Sequence, residues 1–349
     1  MVTRRTINRA GLALAALGMP GARAAMKADG THRKIDVHQH LLPRAYVDAL
    51  AQAGIHGAGG VTFPDWSPEA AIRMMDEQEI ATGILSISTP GTHFGDDAAA
   101  AKLSRDCNEY QAALVRDHPD RFGAFAVLPM PFVEGSVTEA RYALEELELD
   151  GVVLLSSFSD GSYLGDPAFD VLMEFLNERS AVAFVHPTVP VTAPGDALTI
   201  PPFATEFVFD TSRAILNLIW NGVAERYPDI RFVFSHAGGT APYLAWRWAL
   251  LDRAPQMQEK APRGCLHYLR GFYYDTALSG SEQALGALTR LVGADRILFG
   301  SDYPFARARV SAASWAGVNG FAGFGAADKA LIASGNAVEL FPRLAAGRT

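Results

Sequence analysis

Short apolar runs alternate with longer segments of helical spacing along most of this chain. Eight runs rich in β-branched and aromatic residues are found at 35–37, 83–87, 122–128, 151–155, 182–185, 230–234, 272–274 and 296–299. Between them, apolar positions recur every three or four residues, which predicts helices, among them 205–227 and 239–258. Strands that are apolar throughout and alternate with helices are typical of a parallel sheet with both faces buried.

Eight strand–helix units predict an α/β fold, a (β/α)8 barrel of the TIM type. An open, doubly wound sheet usually has fewer strands and a glycine-rich first turn, and no Gly-x-Gly-x-x-Gly motif follows any of the eight runs. A barrel of about 250 residues with insertions fits a chain of 349 residues. We therefore expect one barrel domain over residues 26–349.

Polar side chains with metal-binding chemistry follow four of the predicted strands. His38 and His40 follow the first, His186 the fifth, His236 the sixth and Asp302 the eighth. Residues i and i+2 of a strand share a face, so His38 and His40 can both point into the barrel. Catalytic groups of such barrels lie at the carboxyl ends of the strands. Imidazole nitrogens with a carboxylate suit Zn²⁺, and less selectively Mn²⁺ or Fe²⁺, so a metal site is predicted there.

The remaining chemistry-bearing residues give weaker signals. His93, in the loop after the second run, could border the same pocket, whereas the other histidines have no such placement: His32, His56, His118 and His267. Cys107 and Cys265 match no Cys-x-x-Cys spacing and are expected to be buried thiols. The net charge is −8, with no basic cluster beyond the N-terminus, so no nucleic-acid partner is expected.

The first 25 residues differ from the rest of the chain. Arg4, Arg5 and Arg9 precede an apolar run at 10–19, and Ala22-Arg23-Ala24 has the small-x-small pattern of a cleavage site. The motif around Arg4-Arg5 resembles a twin-arginine export signal, and ten apolar residues are too few to span a bilayer. We therefore expect an exported, periplasmic protein without a membrane-inserted segment in its mature form. A cytoplasmic protein with an ordinary N-terminal extension is the alternative.

Three segments carry a family resemblance: 209–214 (Phe-Asp-Thr-Ser-Arg-Ala), 235–239 (Ser-His-Ala-Gly-Gly) and 299–305 (Phe-Gly-Ser-Asp-Tyr-Pro-Phe). With them the chain resembles, from about residue 35 to 341, the amidohydrolase-related family. That family contains 2-amino-3-carboxymuconate-6-semialdehyde decarboxylase, γ-resorcylate decarboxylase and 6-methylsalicylate decarboxylase.

The resemblance implies a role for each matching residue. It makes His236 the acid/base, Phe305 part of the substrate pocket, and Arg247 an arginine that crosses a homodimer interface to hold the substrate carboxylate. The implied ligands of one divalent ion, Zn²⁺ or else Mn²⁺, are His38, His40, His186 and Asp302. A further substrate-binding arginine of the semialdehyde decarboxylase has no counterpart before Trp66-Ser67-Pro68, which argues against that substrate.

Two absences narrow the subclass that the resemblance implies. The fourth run, 151–155, and the two serines after it contain no lysine that could bridge two metals, so one ion is expected. The sequence after His186 also lacks the His-x-x-Glu signature of adenosine-deaminase-like members.

The implied activity is non-oxidative decarboxylation of an aromatic or unsaturated carboxylic acid, a small-molecule substrate. In this interpretation the ion stabilises developing charge, His236 or Asp302 delivers the proton, and Arg247 orients the acid. Hydrolysis of a lactone or amide on the same residues is the alternative. A ligand-binding barrel without activity is a third possibility.

Overall fold

The computed structural model describes residues 33–193 and 199–346, and its centre is one parallel sheet of eight strands. The strands are β1 (Lys34–His40), β2 (Ile80–Ser86), β3 (Phe122–Val127), β4 (Gly151–Leu155), β5 (Val182–His186), β6 (Arg231–Phe234), β7 (Tyr273–Asp275) and β8 (Ile297–Leu298). Each strand pairs with the next one along the chain. The predicted (β/α)8 barrel is therefore confirmed, with a strand at each of the eight runs.

The barrel closes between its first and last strands through irregular pairing. Val37 N donates to Phe299 O (3.0 Å), Asp302 N to His38 O (2.8 Å) and His40 N to Tyr303 O (2.7 Å). Only one bridge of strand type, between Gln39 and Tyr303, is formed there. The joint between β1 and β8 thus depends on the residues that directly follow β8.

Helices surround the barrel. The α-helices are Arg44–Gln52, Pro68–Glu77, Asp97–Asp117, Val133–Arg141, Asp170–Glu178, Glu206–Trp220, Val223–Arg226, Ala241–Ala249, Pro255–Lys260, Cys265–Gly271, Glu282–Leu291, Ala308–Gly320, Ala326–Ala330, Asn336–Leu340 and Arg343–Ala346. Side-chain caps begin several of them; for example, Asp96 Oδ1 accepts from Ala99 N at 2.7 Å. None of the helices in the described ranges is long and apolar enough to cross a bilayer.

Two predicted helices are divided in the structure. The segment 205–227 forms Glu206–Trp220 and Val223–Arg226, because Gly222 adopts φ +74°, which a right-handed helix cannot continue. The segment 239–258 forms Ala241–Ala249, a 3₁₀ turn at Leu250–Arg253, and Pro255–Lys260. Pro255 explains that second break, since it disfavours helical backbone at the residue before it.

The barrel interior is filled below the strand ends. The Phe125 and Phe184 rings stack with centroids 5.3 Å apart, and the His38 ring lies on Phe184 at 4.9 Å. Cys107 and Cys265 are free and buried, as expected. The rings of Phe125 and Phe184 thus fill the barrel interior beneath His38, and the polar groups lie at the mouth formed by the carboxyl ends of the strands.

Two structures lie at that mouth: a hairpin of Gly57–Ala58 and Val61–Thr62, and the described residues after β5, 187–193 and a 3₁₀ turn at Pro202–Ala204. The predicted export segment 1–25 and the predicted domain start at residue 26 lie outside the described residues.

Candidate metal centre and active site

Three imidazoles and one carboxylate meet at the carboxyl ends of β1, β5 and β8. His38 Nε2 lies 3.0 Å from His40 Nε2, and Asp302 Oδ1 lies 3.4 Å from the former and 3.1 Å from the latter. His186 completes a buried group whose ligand atoms all lie within 4.8 Å of one another. The structure thus brings together the four residues predicted as ligands.

The hydrogen of each imidazole in the site is held on Nδ1, where the ring meets an oxygen acceptor. These pairs are His38 with Asp275 Oδ2 (2.7 Å), His40 with Ser86 O (3.2 Å), His186 with Pro187 O (2.8 Å) and His236 with Ala277 O (3.1 Å). A carbonyl or carboxylate oxygen can only accept, so each Nδ1 must donate. Every Nε2 is then left as the nitrogen that can offer a lone pair to an ion.

The donor set fits a divalent ion. Two Nε2 lone pairs 3.0 Å apart repel each other unless a cation or a proton lies between them. Ligands at about 2.1 Å in tetrahedral geometry are about 3.4 Å apart, close to the observed separations. Three nitrogens and one carboxylate oxygen suit Zn²⁺ and also Mn²⁺. The residues present therefore fit the metal that the sequence predicts.

Burial and the two nearby carboxylates set the protonation of the cluster. Burial lowers the pKa of His38, but the charges and hydrogen bonds of Asp275 and Asp302 outweigh it and raise the pKa to about 10. Burial lowers the pKa of His40, His186 and His236. Without an ion, His38 is therefore protonated on both ring nitrogens, whereas His40, His186 and His236 are neutral.

Metal binding is expected to weaken as the pH falls. The ion needs Nε2 of His38 unprotonated, so below a pKa of about 10 each ion displaces one proton. The bound form holds fewer protons than the free form, which makes the apparent affinity rise by about tenfold per pH unit between about pH 6 and 8. Competition with a chelator of known affinity at pH 6, 7 and 8 measures this slope, and a flat profile would contradict it.

Both His236 and Asp302 sit on left-handed backbone, at φ +53° and +60°. Such angles are uncommon outside glycine and are kept where the surroundings fix them. His236 N donates to Asp275 Oδ1 (2.9 Å) and Asp302 N to His38 O (2.8 Å). The turn that contains His236 also passes so close to the helix Glu206–Trp220 that a Cβ on Gly239 would lie 2.1 Å from Val208 O. The strained turns thus aim both side chains into the site.

Two buried carboxylates that the sequence analysis missed support the cluster from behind. Asp275 accepts from His38 Nδ1, from His236 N and from Ala277 N, so one side chain positions two of the site histidines. Burial raises the pKa of Asp36 to about 6, although it accepts from Gln39 Nε2 and from Ser301 N. A polar residue at the end of an apolar run was the available signal for Asp275, since β7 continues one residue beyond 272–274.

An apolar cavity of about 440 Å³ opens above the cluster. His186, His236 and Asp302 line it together with Phe305, whose ring centroid is 5.4 Å from that of His40. Its other walls come from the hairpin, the 3₁₀ turn at Pro202–Ala204, the helix Glu206–Trp220 and residues that follow β2, β7 and β8, among them Thr89. Within the described residues no lysine or arginine lines it. Phe305 thus lies where a pocket residue was predicted.

Two predicted residues lie elsewhere. Arg247, on the helix Ala241–Ala249, is exposed and lines no part of this cavity within its own chain. His93 borders a neighbouring cavity instead, and its Nε2 lies 2.9 Å from Asp97 Oδ1. The predicted role of Arg247 therefore requires a second copy of the chain.

Comparison with known proteins agrees with this geometry. The profile of the amidohydrolase family matches residues 35–343. The chain is 36% identical to decarboxylase yanB of Aspergillus niger, with 89% of this chain and 88% of that protein covered. It is also 36% identical to 6-methylsalicylic acid decarboxylase of Penicillium expansum, with 89% and 97% covered.

A solved structure shares both fold and sequence. It is the dihydroxybenzoic acid decarboxylase of Polaromonas sp. JS666 with bound manganese and the inhibitor 2-nitroresorcinol, with a TM-score of 0.75, 26% identity, and 88% of this chain and 96% of that chain covered. The profile match spans nearly the whole barrel, from β1 to the helix after Phe341. This chain therefore belongs to the amidohydrolase family.

Proposed function

We propose that this chain is a metal-dependent decarboxylase that releases CO₂ from an aromatic carboxylic acid, a carboxy-lyase. The observation that carries the proposal is the apolar cavity with a metal-binding cluster at its floor. The apolar walls suit a planar ring, and among the described residues of the lining the imidazoles and the carboxylate belong to the cluster at its floor. The names of the relatives, which are decarboxylases of aromatic acids, support the same reaction.

A divalent ion bound at the floor supplies positive charge for the carboxylate and an adjacent hydroxyl oxygen of the substrate. His236 is neutral near pH 7, because burial lowers its pKa, and its Nε2 can accept the proton of that hydroxyl. The imidazolium then returns the proton to the ring carbon that bears the carboxylate. The carbon–carbon bond breaks, CO₂ leaves, and solvent restores the proton of the hydroxyl.

We assign Zn²⁺ as the ion in preference to Mn²⁺. Imidazole nitrogens and carboxylate oxygens are common ligands of zinc, and zinc can take a fifth ligand, which leaves a position for the substrate beside the four residues of this compact buried group. Manganese occupies the site of the Polaromonas relative and is the other candidate. Elemental analysis of the purified protein, followed by reconstitution of the chelated protein with each ion, distinguishes the two.

The reaction is tested with metal-loaded protein and a panel of hydroxybenzoates and lactones. Release of CO₂ from a hydroxybenzoate, lost on chelation and restored by the ion, supports the decarboxylase. Hydrolysis of lactones without any CO₂ release would replace it with the hydrolase alternative. Binding of acids without any turnover would indicate a ligand-binding barrel without catalytic activity.

The exposed face of the helix Ala241–Ala249 supports a homodimer. Tyr243, Trp246 and Leu250 are 83%, 74% and 64% exposed, and their spacing places them on one stripe beside Arg247. Large aromatic residues and arginine are characteristic of interface centres. We propose that a second copy covers this stripe and that Arg247 reaches the cavity of the partner, which no lysine or arginine lines within the described residues of its own chain.

Mixed dimers test the shared site. Arg247→Ala and His236→Asn homodimers are both expected to be nearly inactive, since every site lacks one of the two groups. After random exchange of equal amounts, half of the dimers are mixed and each has one complete site, so about a quarter of wild-type activity returns. Subunit exchange is followed with two different tags; demonstrated exchange without recovery would place Arg247 outside the partner's site.

A further inference from the structure

A second cavity of about 370 Å³ lies beside the cavity over the metal cluster, at the same mouth of the barrel. Its inner wall is formed by Leu128, Val153 and Leu155, at the ends of β3 and β4. Residues after β2, β3, β4 and β5 and after the helix Arg44–Gln52 form the rest, and no member of the metal cluster is among the described residues that line it. The barrel mouth thus holds two cavities, of which the proposed reaction uses one.

A pair of threonine hydroxyls lies between the two cavities. Thr89 lines the cavity over the metal cluster, Thr188 lines the second cavity, and their Oγ1 atoms are 2.6 Å apart. Thr89 belongs to the segment after β2 and Thr188 to the segment after β5, so this hydrogen bond crosses the mouth from one side of the barrel to the other.

Both ends of this bridge are held in place by buried groups. Thr188 N donates to Ser156 Oγ (3.2 Å), and Ser156 Oγ in turn donates to the buried Asp210. On the other side, Gly91 N donates to Ser88 O at 3.0 Å, which fixes the turn that carries Thr89. The two segments are therefore anchored separately, and the hydroxyl pair is the contact that joins them across the mouth.

We infer that the Thr89–Thr188 hydrogen bond divides one larger binding space and sets the longest ring substituent that the acid can carry. The inference rests on the proposed function, because it names which aromatic acids the same site accepts. With the bond intact, an acid is confined to about 440 Å³ over the metal cluster. With the bond broken, an alkyl substituent on the ring can extend into the apolar inner wall of the second cavity.

The test measures how the affinity for the acid depends on the length of its alkyl substituent. Burying one methylene group contributes about a fourfold gain in affinity where the group reaches an apolar wall. For the wild-type protein, the affinity for hydroxybenzoates with a lengthening linear alkyl group is expected to stop rising, or to fall, once the group reaches Thr89. In Thr188→Ala, which removes the hydroxyl together with the side-chain volume between the cavities, the rise is expected to continue by about two- to fourfold per methylene.

The experiment measures dissociation constants by calorimetry on the metal-loaded protein, with turnover measured in parallel. Thr89→Ala removes the same bond and the facing side-chain volume and should give the same extended series, and Thr188→Ser keeps a hydroxyl and should restore the limit. Thr92→Ala is the matched control, since Thr92 also lines the second cavity but its Oγ1 bonds Ser104 Oγ (2.7 Å). In the Thr188→Ala background, Leu155→Phe places a bulkier ring on the inner wall of the second cavity and should reduce the gain.

The outcomes separate the two proposals. An extended series in both Thr188→Ala and Thr89→Ala, absent in Thr92→Ala, supports the division, whether or not the acids are turned over. An identical length limit in the wild-type protein and in Thr188→Ala and Thr89→Ala overturns it, even if every protein releases CO₂. Binding that follows the expected series without any CO₂ release would keep the division and remove the decarboxylase.

Discussion

Replacing His186 by alanine is expected to reduce bound metal far below one ion per chain and to abolish turnover. His186 contributes one of three nitrogens to the cluster, so its loss leaves two imidazoles and one carboxylate to hold the ion. Loss of a residue that only supports a ligand typically costs 10- to 100-fold in metal affinity, and loss of the ligand itself should cost more than about 100-fold. Elemental analysis after gel filtration, reported per chain, gives the stoichiometry.

His93→Ala is the matched control for that change. It removes an imidazole that borders the neighbouring cavity and that pairs with Asp97 outside the cluster. The control is expected to retain one ion per chain and its turnover. If His186→Ala retains the ion as fully as His93→Ala does, the assignment of His186 as a ligand is wrong.

Replacing His236 by asparagine is expected to leave most of the metal in place and to lower turnover by about 10²- to 10⁴-fold, the usual contribution of proton transfer by a positioned side chain. Asparagine is chosen because position 236 has φ +53°, an angle that asparagine adopts more readily than alanine. The measurement is kcat and metal content on one preparation. Equal losses of metal and activity would instead make His236 a ligand.

The sequence was enough to predict the barrel and the residues that meet at its mouth. Parallel strands that close into a barrel bring their carboxyl ends together, so a polar residue directly after an apolar run is placed by topology alone. His38 and His40 illustrate this, because alternation along β1 points both rings the same way.

Other parts of the site depend on contacts that no local pattern encodes. Asp275 was missed because the apolar run was ended one residue early, and its importance lies in contacts with His38 and with the His236 turn, far away in the sequence. The Thr89–Thr188 bond likewise joins positions 99 residues apart. Threonine in a loop has no distinctive spacing, so only the folded chain shows that these two hydroxyls meet.

The joint between β1 and β8 determines at which stage of folding the metal can bind. His38 and Ser301 are 263 positions apart and are hydrogen-bonded at this joint, so the complete ligand set exists only after the last strand has docked. In the finished barrel without an ion, the added proton on His38, stabilised by Asp275 and Asp302, takes the place of the positive charge of the ion. The choice of metal is therefore made by the finished barrel rather than by the growing chain, and binding to the finished barrel alone adds to its stability.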